Sequence, residues 1–344
     1  MTALTLKYRP KTFAEVIGQK SAVSVAQGFL AKGIPPTILI SGPHACGKTT
    51  IARILARAAN CEQPKDNEPC GVCDSCRAVV HPNIQEVNAA ESRGIDTIRD
   101  LTNQARLAPI FTRRVIILDE AHAMTPQAYQ AGLKLFEEPP DTTSFILVTT
   151  NPEKLPKTIL SRCSSISVRR LPEFDLARHL ARIGKKEGIR LGKDGAVKIA
   201  AASGGHPREA LTMLQQLVGH GNVDDLDKAI KEVVDKAPTK LIEDFLAAVA
   251  DGDAAACFKT YSHIESAEKF LEGVVEMLQA AIRYAVDPRM VQGYHGVVVK
   301  RLRLKRKMAA FLLETFGKAY QSTKNRVMDP DVILDLAIIE ATEE

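Results

Sequence analysis

The octapeptide Gly42-Pro43-His44-Ala45-Cys46-Gly47-Lys48-Thr49 fills every fixed position of G-x-x-x-x-G-K-[ST]. Glycines at these two places let backbone N–H groups close on phosphate oxygens, and a helix beginning at the lysine adds the positive end of its dipole. Residues 42–50, with Thr50 the last, are therefore expected to cradle the phosphates of a nucleoside triphosphate. Lys48 would reach the β- and γ-phosphates and Thr49 would hold Mg²⁺. A glycine turn matching by chance is the competing reading. It is weakened by Thr37-Ile38-Leu39-Ile40 just before the motif, which has the length and apolarity of a buried strand, and by residues 50–57 after it, which have helical spacing.

A second group with chemistry is Cys61, Cys70, Cys73 and Cys76, four of seven cysteines within sixteen residues. A C-x2-C turn presents two sulfurs to one ion, so this spacing can close a tetrahedral thiolate site for zinc. Buried or redox cysteines are the alternative, but core cysteines rarely cluster in a polar loop punctuated by Pro64, Pro69 and Gly71. His81 is a conceivable fifth ligand, although four thiolates already fill the shell. With no open position left, the metal is expected to be structural.

A third group is Asp119-Glu120, which ends the apolar run Val115-Ile116-Ile117-Leu118. Carboxylates at the C-terminal edge of a buried parallel strand stand where open α/β sheets bind ligands. Asp119 would hold Mg²⁺ through water and Glu120 would polarise an attacking water, unless the pair merely caps the next helix. Residues 144–148 form a further buried strand ending in Thr149-Thr150-Asn151. Thr150 or Asn151 would meet the γ-phosphate or the attacking water if the two strands are neighbours.

The elements that must position these groups follow from periodicity. Helices are expected over 21–31 (ending at Gly33), 95–107, 127–136 after Thr125-Pro126, and strands over 84–88 and 165–168. Beyond the linker Arg170-Leu171-Pro172, helices are expected over 174–186, 194–203 and 207–219. From 223 onward the pattern is all helical, with candidates at 240–249, 254–265, 268–286, 304–320 and 329–341. The basic run from Lys300 to Lys307 reads as the solvated face of one helix or a subunit contact, with DNA contact the lesser reading. At 344 residues the chain exceeds one ordinary core. Its net charge of +5 permits a nucleic-acid partner without demanding one. No apolar run approaches the roughly 20 residues of a membrane span and no signal peptide opens the chain, so a cytoplasmic protein is expected.

Taken together, residues 1–215 resemble the DNA polymerase III gamma/tau family, the ATPases of bacterial clamp loaders within the AAA+ superfamily. The matching stretches are Tyr8 to Phe13 with Gly18-Gln19, the phosphate loop, Cys70 to Arg77, Leu118 to His122, Leu135 to Pro140, and Leu155 to Cys163 with its Ser161-Arg162-Cys163 triplet. The resemblance implies an α/β fold: an AAA+ domain at 1–170 with an inserted zinc module at 61–76, a helical lid at 171–222 and an all-α collar, the oligomerisation domain, at 223–344. It implies ATP with Mg²⁺ in a pocket closed on the adenine side by Tyr8, Arg9 and Ile17. Thr150 would be the first sensor, Arg208 the second, and Arg162 an arginine finger for the neighbouring subunit's site. It also implies DNA contacts from Arg99, Lys134, Thr158 and Arg93, the last made uncertain because Glu91 shifts Ser92-Arg93 by one place. The expected work is ATP-driven opening of a sliding clamp and its placement on primed template DNA, with other clamp-loader subunits as partners. The chain would be a short form lacking the tau extension. A non-hydrolysing, delta-prime-like subunit is the alternative. A branch-migration motor is a third, but the zinc module and the triplet have no use there.

Overall fold

The computed structural model describes residues 3–189, 191–219, 229–230, 233, 238–261, 264, 266–291, 293–302, 304–325 and 327–343. The chain divides into two compact units, Met1–Leu171 and Pro172–Glu344.

In the first unit five strands, β1 (Thr37–Ser41), β2 (Ile84–Asn88), β3 (Arg114–Asp119), β4 (Thr143–Thr149) and β5 (Ser164–Ser167), pair in the order β2-β3-β4-β1-β5. Every pairing is parallel. The central strands are apolar on both sides because both faces are covered, and their side chains alternate with period two. Ile38, Ile40, Val115, Ile117, Ile146 and Val148 enter one core, while Leu39, Ile116, Leu118, Phe145 and Leu147 enter the other. The helices of this unit are α1 (Leu4–Lys7), α2 (Lys20–Lys32), α3 (Lys48–Ala59), α4 (Asp74–Arg77), α5 (Ile95–Ala105), α6 (Pro126–Glu137) and α7 (Lys157–Leu160). Helices α2 and α3 cover the first face through Ala22, Ala26, Ile51, Ile54 and Leu55. Helices α5 and α6 cover the second through Ile98, Leu101, Tyr129 and Phe136. Each fully buried Ile, Leu or Phe contributes about 1.5–3 kcal/mol, so the two apolar layers fix which way every strand end points. Helix α6 starts where its punctuation says it should, with Thr125 Oγ1 accepting from Ala128 N and Pro126 in the first position.

The second unit is helical among its described residues: α8 (Glu173–Lys186), α9 (Gly192–Ala202), α10 (Pro207–Gly219), α11 (Pro238–Ala250), α12 (Ala254–Tyr261), α13 (Ala267–Val286), α14 (Gly293–Leu302), α15 (Arg306–Lys324) and α16 (Pro330–Glu343). Helix α8 packs on α9 and α10. The later helices share a core in which Phe245 meets the rings of Phe270 and Phe316 edge-on at 5.1 and 5.5 Å. The expected boundary between lid and collar at 222/223 lies outside the described residues.

One reading of the sequence is corrected here. The basic run is not the face of a single helix: α14 ends at Leu302, α15 begins at Arg306 and Lys305 is its cap position. Helix α14 itself escaped notice because Pro288, Gly293 and Gly296 interrupt the periodicity. Within the run, Arg301 is spent internally, its Nη1 donating to the buried Glu243 carboxylate at 2.5 Å.

Two glycines test the backbone. Gly42 sits at φ 147°, and a Cβ built there would stand 2.1 Å from the Val168 carbonyl oxygen. Gly28 lies inside α2 with nothing within 4 Å of the same position. Gly42→Ala is expected to destabilise the chain by about 2 kcal/mol or more and Gly28→Ala to stabilise it by about 0.5–1 kcal/mol. Urea unfolding midpoints of the two variants check both signs.

Candidate functional site

The phosphate loop joins the end of β1 to the start of α3. Its path is set by left-handed residues: Gly47 at φ 95° and, without glycine's freedom, Ala45 at φ 55°. The latter conformation costs an L-residue about 1–2 kcal/mol, a strain of the kind concentrated at ligand clamps. Gly42 N donates to the Thr149 carbonyl at 3.3 Å, holding the loop to β4. Lys48 is only 6% exposed and lies back across the loop, Nζ donating to the Pro43 carbonyl at 2.8 Å. Pro43, Ala45 and Gly47 are half-buried, His44 is exposed and Cys46 is buried, its Sγ donating to the His44 carbonyl at 3.3 Å. Thr49 and Thr50 follow in the first turn of α3, where backbone N–H groups face out of the helix end.

Opposite the loop stands the end of β3. Thr49 Oγ1 donates to Asp119 Oδ2 at 2.8 Å, and Asp119 Oδ1 accepts from Glu120 N at 2.9 Å. A hydroxyl and a carboxylate brought together at a helix start are an all-oxygen donor set that fits Mg²⁺. Glu120 takes the left-handed conformation, φ 51° and ψ 40°, so the chain turns off the strand and its carboxylate leaves the line of β3. Its Oε2 lies 3.4 Å from His122 Nδ1, which also sits 3.0 Å from Thr149 Oγ1. Burial lowers the His122 pKa below that of a free imidazole, with Glu120 opposing the shift. Strands β3 and β4 are neighbours, as the placement of Thr150 required. Thr150 Oγ1 donates to Asn151 Oδ1 at 2.8 Å, and Asn151 N donates to Thr149 Oγ1 at 3.0 Å. A chain of polar groups therefore runs from Glu120 through His122 to the end of β4. His122 and Thr149 were missed as site residues, because sequence does not say which strand ends meet.

Gln19 was missed for the same reason. Buried to 5% exposure, its amide donates to the Cys46 carbonyl at 3.4 Å and exchanges two hydrogen bonds with the Arg169 backbone. It ties the start of α2 to the phosphate loop and to the segment after β5. Tyr8, Arg9 and Ile17, earlier in the same N-terminal stretch, are half-buried.

The remaining candidates stand on other elements. Arg162 follows α7, half-exposed, with Nε 3.3 Å from Glu137 Oε1. Arg208 is exposed in the first turn of α10, in the second unit. Lys134, Thr158 and Arg93 are exposed on the first unit. Arg99 is exposed too, but its guanidinium is paired with Asp96 one turn earlier at 2.9 Å.

The four cysteines converge. Their Sγ atoms all lie within 4.8 Å of one another, and a tetrahedral zinc with about 2.3 Å bonds sets sulfurs about 3.8 Å apart. Backbone N–H groups aim at the sulfurs: Cys70 N at Cys61, Val72 N and Cys73 N at Cys70, and Cys76 N at Cys73. Such donors stabilise thiolate and push Cys70 down to about 6, whereas burial raises Cys61 and takes Cys76 to about 12. This mixture suits a cation that would draw all four into thiolate form. His81 takes no part. Its Nδ1 accepts from Asn83 N and its Nε2 bonds Ser75 Oγ at 2.9 Å, while burial lowers its pKa, leaving a neutral ring with both nitrogens engaged. The module is anchored to α3 by Arg57 Nη1, which donates to the Cys76 carbonyl at 2.8 Å.

Comparison with known proteins places this geometry. The sequence profile described as DNA polymerase III, delta subunit, matches residues 18–172. The gamma/tau subunit of DNA polymerase III from Mycobacterium tuberculosis is 40% identical over 265 residues, covering 74% of this chain and 46% of the relative. The tau subunit from Bacillus subtilis is 31% identical over 309 residues, 87% of this chain and 54% of the relative. The chain thus spans about half the length of the curated relatives it matches. Among solved structures, the RuvB Holliday junction branch migration motor of Thermotoga maritima superposes with a TM-score of 0.53 at 18% identity, covering 70% of this chain and 79% of that one. This last likeness is one of fold alone. On sequence identity and coverage, the chain belongs to the DNA polymerase III gamma/tau family.

Proposed function

We propose that this chain is an ATP-driven clamp-loader subunit that opens a sliding clamp and places it on primed template DNA during replication. The observation that carries the reading is the contact of Thr49 with Asp119, with Glu120 turned off the strand beside it. A non-hydrolysing, delta-prime-like subunit has no use for so complete a constellation, and the relatives' being DNA polymerase III gamma/tau subunits supports the motor reading.

In this reading the backbone from Gly42 to Thr50 cradles the triphosphate and Lys48 swings from Pro43 to the β- and γ-phosphates. Thr49 and Asp119 hold Mg²⁺, which when bound supplies charge neutralisation at the phosphates. Glu120 accepts a hydrogen bond from the attacking water and aims it. Thr150, at the end of β4, contacts the γ-phosphate or that water, and Tyr8, Arg9 and Ile17 border the adenine. Arg208 brings the lid, 171–222, to the nucleotide. Arg162 serves the neighbour's site, and the collar, 223–344, holds subunits together. The zinc is structural, because four thiolates leave no open position. Arg93, Arg99, Lys134 and Thr158 are proposed to track duplex phosphates, with Arg99 first exchanging Asp96 for a phosphate. The partners are the other clamp-loader subunits, the clamp and the primed template. Among the described residues no helix is long and apolar enough to cross a membrane, and the cytoplasm is the proposed compartment.

Lys48 touches phosphate in the ground state, whereas Glu120 matters only to the reacting water. Lys48→Ala is expected to weaken ATP binding by about a hundredfold or more, and Glu120→Gln to retain binding while turnover falls by about 10²-fold. Equilibrium nucleotide binding and steady-state hydrolysis separate the two, and normal turnover by either variant would end the pocket assignment.

Arg162→Ala should leave ATP binding in its own chain intact. Mixed with wild-type chains in the assembled complex, it should reduce hydrolysis in proportion to its share. Full-rate hydrolysis by isolated monomers would contradict a role in trans.

Metal analysis of protein purified without chelator should find about one zinc per chain, falling well below that in Cys73→Ser.

A further inference from the structure

Within the cysteine module, Lys65-Asp66-Asn67-Glu68 forms a tight turn. Asp66 and Asn67 are both left-handed, at φ 53° and 59°, and Glu68 N donates to the Lys65 carbonyl at 2.9 Å, with Lys65 and Glu68 bridged antiparallel. Two successive left-handed residues define a type I′ turn, which few residue types other than Gly, Asn and Asp tolerate. This turn sits inside the loop that Cys61 and Cys70 close, so its footing is the pair of sulfurs at either end.

What the turn presents is the Glu68 carboxylate. Oε2 accepts from Phe13 N at 2.6 Å, and Oε1 accepts from Ala14 N at 2.9 Å and from Gln27 Nε2 of α2 at 3.3 Å. Phe13 and Ala14 open the short 3₁₀ helix Phe13–Glu15, whose cap residue Thr12 makes no side-chain capping bond. Glu68 therefore caps that helix from 55 residues away, its carboxyl oxygens accepting from the first N–H groups of the helix, which have no partner within it. Phe13 is 1% exposed and shares a core with Cys46 of the phosphate loop. Six residues further on, Gln19 donates to the Cys46 carbonyl. Between them lies Ile17.

We propose that Glu68 is a positioning residue for nucleotide: it transmits the closed, zinc-bound state of the cysteine loop to residues 13–19, and thereby to the base-side border of the pocket. The inference rests on residues 42–50 being a nucleotide site. Zinc holds Cys61 and Cys70 together, the loop between them holds the I′ turn, and the turn holds Glu68 on Phe13 and Ala14. Loss of zinc frees the carboxylate, and the 3₁₀ helix loses its cap.

The test uses the full chain as wild type, Glu68→Ala and Glu68→Gln, each zinc-loaded and after zinc-selective chelation. Excess Mg²⁺ is present and a fluorescent ATP analogue serves as probe. Zinc-loaded Glu68→Ala and chelated wild type should each raise the Kd about tenfold, a size expected for losing charged hydrogen bonds. Chelating Glu68→Ala should add less than a further twofold, because the same link is already cut. Glu68→Gln keeps one acceptor oxygen and should fall between. Zinc content should be equal in all three loaded proteins, and amide exchange at Phe13 and Ala14 should quicken both on chelation and in Glu68→Ala. Independent effects that multiply to about a hundredfold, or an unchanged Kd with unchanged exchange, would overturn the proposal. A wild type that binds no ATP would instead remove the function reading, and exchange at Phe13 and Ala14 would still decide whether Glu68 carries the link.

Discussion

A single hydrogen bond, Thr49 Oγ1 to Asp119 Oδ2 at 2.8 Å, sets most of what the first unit must be. Asp119 ends β3, whereas Thr49 is the second residue of α3, joined to β1 by the glycine loop, and β1 and β3 are not adjacent: β4 lies between them. Strands pack about 4.8 Å apart, so β1 and β3 are separated by about twice that. Only a helix that begins immediately after the glycine loop and leans over the end of β4 can bring its second residue to the far carboxylate. The crossing also explains why β4 ends in polar groups. Thr149 and Thr150 lie under that bridge, and Thr149 bonds His122 and Asn151 through its hydroxyl and Gly42 through its carbonyl.

The alternating apolar layers enforce this register. A shift of β3 by one residue would exchange Ile117 for Leu118 between the two cores and turn Asp119 away from Thr49. Both faces are filled by large aliphatic side chains, so the slipped arrangement would lose packing on each side at once. Among the described residues of this unit, left-handed non-glycine backbone occurs only in loops, at Ala45, Glu120 and the Asp66-Asn67 turn, and the strands are regular. At Ala45 and Glu120, after β1 and β3, such strain is tolerated because the strands themselves cannot follow it.

What was legible in the sequence was what local rules govern. The strand and helix on either side of the glycine turn at 42–47, the strand lengths to within a residue at each end, the Gly33 stop of α2, the Thr125-Pro126 start of α6 and the clustering of the four cysteines all depend on neighbours within a few residues, and the structure has each of them. What was not legible depends on partners far along the chain. Gln19 meets Arg169 across 150 residues, Glu68 meets Phe13 across 55, and Arg301 meets Glu243 across 58. No pattern of spacing announces such pairs. The basic run from Lys300 failed in the opposite way: charge and leucine alternation looked continuous, but a helix end is decided by local backbone, and the break lies among those same residues.

The state of Arg162 bears on how a group proposed to serve another chain would be held ready. In this chain its guanidinium is half-exposed and rests 3.3 Å from Glu137 Oε1, at the C-terminal end of α6. An exposed pair of this kind is worth only about 0–1 kcal/mol, since water and salt screen it. A planar guanidinium can form a stronger, bidentate contact with phosphate oxygens than with one carboxylate oxygen at that distance. In the proposed role, the exchange of Glu137 for a neighbour's phosphate would then be downhill, yet the pair would be enough to limit the rotamers Arg162 gives up on docking. Leu155 and Ile159, buried on either side of the start of α7, fix the backbone from which the side chain reaches. Arg99 and Asp96 repeat the device on α5, where Ile98 and Leu101 face the core and the paired charges face water. In both places, on α5 and just after α7, a weak intramolecular pair holds the cation, and weakness is what would let it be released.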